Sequence, residues 1–305
     1  MSPDDARILD QFHVGPADLI GEGGESRVYA LGADEVLRVP RTANFGGASR
    51  ERLQSFLAHI AGRLPFATPE ILEIGPDEAW TIERRLPGRS MLALLRTMHD
   101  DHRDRALRNY VTALDGFGTI RLDTFPYGHL LAEPSTKADD WRTFLWETLI
   151  AFRTRNRVTI AQEAADPYAL FEKAADMLDA LPLLPAKVLV HGDYFPGNVL
   201  LDDELRVSAV LDFGTYTVCG DPALDLAVAY QTLELIEECT ADDARFVRDL
   251  IMERHGDELG PAFQFYRAYL AFSMADPANA NPPYPKLYGW AMAMLKLLAA
   301  DRLPG

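Results

Sequence analysis

His191-Gly192-Asp193-Tyr194-Phe195-Pro196-Gly197-Asn198 follows directly on the apolar run Val188-Leu189-Val190, and its spacing reads H-x-D-x-x-x-x-N. Phosphoryl transfer to an alcohol needs a carboxylate aimed at the attacking hydroxyl and oxygen ligands for Mg2+, because positioning and charge neutralisation supply most of the catalysis. Asp193 suits the first task and Asn198 the second. Two short apolar segments come next, Val199 to Asp202 and Val207 to Leu211, joined by the turn-like Asp202-Asp203-Glu204, so a hairpin is expected. It runs into Asp212-Phe213-Gly214, where a second carboxylate suits a metal bridging the terminal phosphates. A DFG triplet alone is worth little, and an isolated HGD is also an ordinary strand-to-loop turn capped by its aspartate. Both motifs in this order, one hairpin apart, make chance a poor explanation.

Upstream, after a short helical lead-in, Leu19 to Arg41 reads as strands around a glycine cluster and a Gly32-Ala33-Asp34 turn. Gly21, Gly23 and Gly24, with Ser26, fall where backbone amides can approach phosphate oxygens, Ser26 adding a hydroxyl donor. Read alone, such glycines also describe a plain turn. From Ser49 the spacing becomes helical, with Leu53, Phe56, Leu57 and Ile60 on one face. Two further strands are expected near Ile71 to Ile74 and Trp80 to Glu83, and Leu86-Pro87-Gly88 then breaks the pattern. Beyond it, Ser90 to Leu181 is mainly helical apart from a loop-rich insert between Gly116 and Asp140. Helices resume at Pro222, where Asp221-Pro222 reads as a cap followed by proline at the first helical position. The expected fold is α+β and bilobal, protein-kinase-like: a small β-rich N-lobe over 1–86 that binds nucleotide, and a larger, mainly helical C-lobe over 87–305.

Composition restricts the partners. The 305 residues carry a formal charge of −16, which argues against nucleic acid or an anionic membrane surface as a general partner. The first residues lack the basic and apolar regions of a secretory signal, and Trp290 to Ala300 is interrupted by Lys296 and too short to span a bilayer. Cys219 and Cys239, the two cysteines, form neither a CxxC pair nor a disulfide framework, which fits a reducing cytoplasm.

HGDYFPGN, the hairpin, LDFG and GDPALDLA together resemble the signature of aminoglycoside phosphotransferases and related small-molecule kinases. The likeness is close over Lys187 to Tyr230. Weaker echoes, in the Ile20 to Arg27 loop, Val36-Leu37-Arg38-Val39 and Trp141-Arg142-Thr143-Phe144, point to the hygromycin B phosphotransferase branch. The resemblance implies Mg2+, with ATP or GTP as co-substrate. It implies Asp193 as the catalytic carboxylate, Asn198 and Asp212 as metal ligands, and His191 and Asp225 as supports of the catalytic loop. Arg38 occupies the place of the family's strand-three lysine; arginine binds phosphate bidentately but is not interchangeable with lysine. Glu51, in the first turn of the Ser49 helix, is the candidate anchor for that cation, although an acid there also simply complements the helix dipole. Thr81 to Gly88 resembles the hinge, with Glu83 and Arg85 beside the adenine edge.

Only a short loop fits between Gly214 and Asp221, so the long segment on which protein kinases dock peptides is missing and a small-molecule hydroxyl acceptor is expected. Its pocket should draw on the helices after Pro222 and on the 116–140 insert. Glu234, Glu237, Glu238, Asp242 and Asp243 concentrate acid, which in this family receives ammonium groups but elsewhere is a solvated helix face. The leading expectation is a kinase for an aminoglycoside-like antibiotic. A metabolic kinase for a sugar, amino alcohol or amino acid is the runner-up, and Arg38 motivates a nucleotide-binding pseudo-kinase as the third reading.

Overall fold

A computed structural model describes residues 3–23, 26–41, 49–182, 186–280 and 285–304. The first part of the chain builds one antiparallel sheet from β1 (Leu19–Glu22), β2 (Ser26–Leu31), β3 (Glu35–Pro40), β4 (Ile71–Ile74) and β5 (Thr81–Arg84), in the order β1-β2-β3-β5-β4. Gly32, at φ +76°, makes the tight turn between β2 and β3. One sheet face is covered by α1 (Pro3–Phe12): Ile8 and Leu9 pack on Tyr29, Leu37, Val39 and Trp80 as a small separate core. Side chains alternate along a strand, so Val36 and Arg38 point to the face opposite Leu37 and Val39. Arg38 pairs with Thr81 across β3 and β5, so Glu83, two residues along, shares its face. Helix α2 (Arg50–Ile60), capped by the Ser49 hydroxyl, buries Leu57 and Ile60 in the larger core.

The remainder starts with β6 (Arg89–Ser90), a strand of a second sheet. Helices α3 (Met91–Leu95) and α4 (Asp100–Gly118) follow, then β7 (Tyr127–His129) and β8 (Lys137–Ala138) from the 116–140 insert, then α5 (Trp141–Glu163) and α6 (Pro167–Ala180). The segment bearing Asp193, Asn198 and Asp212 runs through β9 (Val188–Val190), β10 (Val199–Leu201), β11 (Val207–Val210) and β12 (Val218–Gly220). Helices α7 (Ala223–Gln231), α8 (Ala241–His255), α9 (Gly260–Met274) and α10 (Pro285–Ala299) complete the chain. No described helix is long and apolar enough to cross a membrane.

Two small sheets fix this segment. One has the order β11-β10-β6 and the other β8-β7-β12-β9. The expected hairpin is therefore present as β10 and β11, while the short loop after Gly214 continues into β12, a strand the sequence pattern did not single out. The insert supplies a neighbour to β12 through β7. Val188, Leu189 and Val190 are buried, each contributing about 1.5–3 kcal/mol on a burial scale, which makes β9 a rigid support for the loop that follows it.

Candidate active site

Strand β9 delivers His191 into the core with no exposed surface. Its Nε2–H donates to the carbonyl of Leu211 at 2.8 Å, and its Nδ1 accepts from the backbone N–H of Asp193 at 3.2 Å. Those bonds define a neutral ring. Burial agrees, pushing the imidazole pKa down to about 4. The ring also packs edge-on to Phe213 at 4.6 Å, so one side chain ties the loop of Asp193 to the strand end that bears Asp212.

Asp225, on the first turn of α7, is the second fastening. Its Oδ2 accepts from the His191 N–H and its Oδ1 from the Gly192 N–H, both at 2.7 Å. It is buried, and desolvation pushes its pKa up to about 7 against those two bonds. Between these fastenings Gly192 has φ +78°, and a Cβ there would lie 2.1 Å from the carbonyl oxygen of Tyr216. Thr217 adds a third link, accepting from the Gly214 N–H and donating to the His191 carbonyl.

Asn198 closes the loop. Its Nδ2 donates to the backbone carbonyl of Asp193 at 2.9 Å and to the Asp193 carboxylate at 3.0 Å, which leaves Oδ1 as the amide's acceptor end. The Leu211 N–H donates to the Asn198 carbonyl at 2.8 Å, bringing the end of β11 and hence Asp212 alongside. Asp212 sits at φ +57° with its carboxylate half exposed. Asp193, Asn198 and Asp212 thus belong to one hydrogen-bonded assembly.

Arg38 faces that assembly from β3. Its Nη1 donates to Asp212 Oδ1 at 3.2 Å and to Ser26 Oγ at 2.9 Å, while Nε pairs with Glu83 at 3.0 Å. Glu83 also accepts from the Thr81 hydroxyl at 2.8 Å. The Glu83 charge, then that of Asp212, holds the guanidinium pKa above its ordinary value despite burial.

This geometry changes several expectations. Glu51 does not anchor Arg38; it is exposed on α2, where its own backbone N–H and the Glu78 side chain lower its pKa, as the dipole reading allows. Glu83 takes the anchoring place through its side chain, because strand register puts it on the face of Arg38. Ser26 Oγ accepts from the guanidinium. The Arg85 N–H donates to the Asp34 carbonyl at 2.8 Å, so that amide closes the strand end and is taken before any base arrives. Gly21 lies in β1, and the Gly23 N–H closes on the Ser26 carbonyl at 3.0 Å with open space where a side chain would be. Gly24 lies outside the described residues.

A family model described as the phosphotransferase enzyme family, APH, matches residues 17–269. The chain belongs to this family. No curated protein matches it in a sequence search. Among solved structures it is similar to a thermostable mutant of the aminoglycoside phosphotransferase APH(4)-Ia in a ternary complex with ADP and hygromycin B. The TM-score is 0.70 at 22% identity, over 98% of this chain and 99% of that one. It is also similar to ADP-bound aminoglycoside phosphotransferase APH(2'')-Ib, with TM-score 0.66 and 13% identity over 100% of both chains. The macrolide 2'-phosphotransferase MphH from Brachybacterium faecium follows at TM-score 0.60 and 20% identity, over 95% of this chain and 98% of that one. Identities this low establish the kinase-like fold, and the family match makes this chain a phosphotransferase.

Within that fold the acidic segment after α7 is neutralised by the protein itself. Glu234 accepts from Arg267 with both oxygens and from the Trp290 indole; Glu238 pairs with Arg96, Asp242 with Arg245, Asp243 with Arg103 and Glu237 with Lys286. A pocket of about 350 Å³ lies here, lined by Tyr230, Glu234, Cys239, Thr240, Arg245 and Arg248 among others. None of Asp193, Asn198 and Asp212 lines it. Sequence reasoning missed the roles of Thr81, Thr217 and Tyr110, whose single hydroxyl proton is shared between the carbonyls of Tyr194 and Ala229 and so joins the Asp193 loop to α7. Tyr110 acts on residues distant in the chain, and the role of Thr81 depends on the register that brings Arg38 to Glu83.

Proposed function

We propose that this phosphotransferase moves the γ-phosphoryl group of ATP or GTP to a hydroxyl of a small molecule, with an aminoglycoside-like antibiotic as the leading acceptor and resistance as the biological purpose. The observation that carries this is the joined set of Asp193, Asn198 and Asp212 facing Arg38. The N-lobe of 1–86 would hold the nucleotide and the C-lobe of 87–305 the acceptor, in the cytoplasm. The Asp193 carboxylate orients the acceptor hydroxyl and receives its proton as the oxygen bonds to the γ-phosphorus, and the bond from that phosphorus to the β-bridging oxygen breaks to release the nucleoside diphosphate. Mg2+ would neutralise the charge on the phosphates. Asn198 Oδ1 and the Asp212 carboxylate are the oxygen donors suited to it, and phosphate oxygens and water would complete its shell. Arg38 would bind the phosphates.

A small acceptor is supported by the three residues between Gly214 and β12, which leave no peptide-docking segment. Hygromycin B occupies the similar APH(4)-Ia complex, and kanamycin occupies an aminoglycoside phosphotransferase of the APH(2") group. The metabolic-kinase reading draws on a different observation: the five carboxylates of the acid run, weighed between an ammonium site and a solvated helix face, are each paired with a cation of the protein. Release of ADP or GDP is the test, measured against aminoglycosides, macrolides and cellular polyols and amino alcohols. Turnover with aminoglycosides supports the leading reading, and turnover with metabolites alone replaces it. Silence with every acceptor, despite tight Mg·ATP binding, would favour a regulator without catalysis.

A further inference from the structure

We infer that Glu83 is the positioning residue of the nucleotide site. On this inference the phosphate-binding cation is pre-set inside the sheet and does not depend on a carboxylate from α2. It rests on the reading of Arg38 as a phosphate ligand and goes beyond it by naming what holds Arg38 there.

Three features of the fold support it. Strands β3 and β5 are hydrogen-bonded neighbours, and their register pairs Arg38 with Thr81 and Val36 with Glu83. Cation and carboxylate are therefore fixed by backbone bonds within one sheet, and no helix has to move to bring them together. Glu83 also has a second donor: the buried Thr81 hydroxyl donates to the same oxygen, Oε1, that receives Arg38 Nε. Finally, Ser26 accepts from Arg38 Nη1 at the start of β2, so the guanidinium spans β2, β3 and β5. A guanidinium has several donors in one plane, so it can keep Glu83 on Nε while its outer edge faces phosphate; an ammonium on a flexible stem has no such division of edges. This gives arginine at position 38 a physical reason: the carboxylate comes from the side, along the sheet, and a forked cation can serve both directions. Glu51 is exposed on α2 and makes no ion pair with Arg38.

The test is direct binding of a fluorescent, non-hydrolysable ATP analogue with Mg2+ to the full chain, together with KM for nucleotide, KM for acceptor and kcat. Glu83→Gln should weaken analogue binding at least about tenfold, the loss expected for a buried charge-assisted partner, and raise the nucleotide KM while leaving the acceptor KM unchanged. Glu51→Gln should leave analogue binding unchanged. In an Arg38→Met background, Glu83→Gln should add no further loss, since it acts through the guanidinium. Where Glu83→Gln fails to fold, Thr81→Val decides by removing the hydroxyl that orients the carboxylate; it should weaken binding several-fold. Full analogue affinity in Glu83→Gln, or in Thr81→Val where that variant decides, would overturn the inference, as would loss of affinity in Glu51→Gln. An unaltered protein that does not bind the analogue would instead sink the proposed function, so the two failures are distinguishable.

Discussion

Replacing Asp225 by asparagine separates what the site needs from what the fold prefers. The carboxylate is 2% exposed and accepts two backbone N–H groups at 2.7 Å, yet burial pushes its pKa from 3.8 to about 7. The native state therefore keeps a proton between those two values that the unfolded chain has already released, so stability falls as pH rises through that window. The whole shift corresponds to about 4 kcal/mol, of which about 3 kcal/mol falls between pH 5 and pH 8. Asparagine has the same shape and no charge to lose. Its NH2 must face one of the two N–H donors, a penalty of about 1–3 kcal/mol that does not vary with pH. Urea unfolding of both proteins at pH 5, 6, 7 and 8 should show the variant less stable at pH 5 and equal or superior at pH 8. Turnover at pH 8 should meanwhile fall about tenfold or more, because the loop bearing Asp193 loses one anchor. A stability deficit that widens with rising pH would refute the reasoning.

His191 should act in the opposite direction. Its folded pKa, depressed from 6.5 to about 4, means the unfolded chain takes up a proton the native ring refuses; stability is lost as pH falls through that interval, by about 3 kcal/mol, and unfolding experiments on His191→Phe should show a flatter acid limb. Gly192→Ala should cost at least about 2 kcal/mol in thermal or urea unfolding, because φ +78° and the 2.1 Å approach to Tyr216 both exclude a Cβ. Asp193→Ala should lose at least about a hundredfold in turnover while binding nucleotide normally, and near-normal turnover would remove it from the mechanism. Asp212→Ala should shift the Mg2+ concentration needed for activity, which a titration of rate against metal would show.

The catalytic loop, the hairpin and Asp212 were legible because their chemistry is written in short spacings: His191 to Asn198 is one loop, and β10 and β11 flank one turn. Arg38 was placed on the third strand for the same reason, and it lies in β3. What escaped depends on partners set by three-dimensional register. Glu83 was placed beside the adenine edge and Glu51 beside the cation. Nothing in linear sequence says that Arg38 lies opposite Thr81, which is what brings Glu83 to it. The acid run from Glu234 to Asp243 looked open to a cationic ligand because its partners Arg96, Arg103, Arg267 and Lys286 lie on other elements. Strand β12 escaped for another reason: three residues are too few to show alternation, and its pairing comes from β7 and β9.

Diffraction from crystals grown with Mg2+ and a non-hydrolysable ATP analogue bears most directly on the catalytic assembly. The ion should be bound by Asn198 Oδ1 and the Asp212 carboxylate at about 2.1 Å, with the terminal phosphate directed toward Asp193 and Arg38 on the phosphates. A metal held by neither residue, or a triphosphate bound away from the cleft between Arg38 and Asp193, would contradict the account.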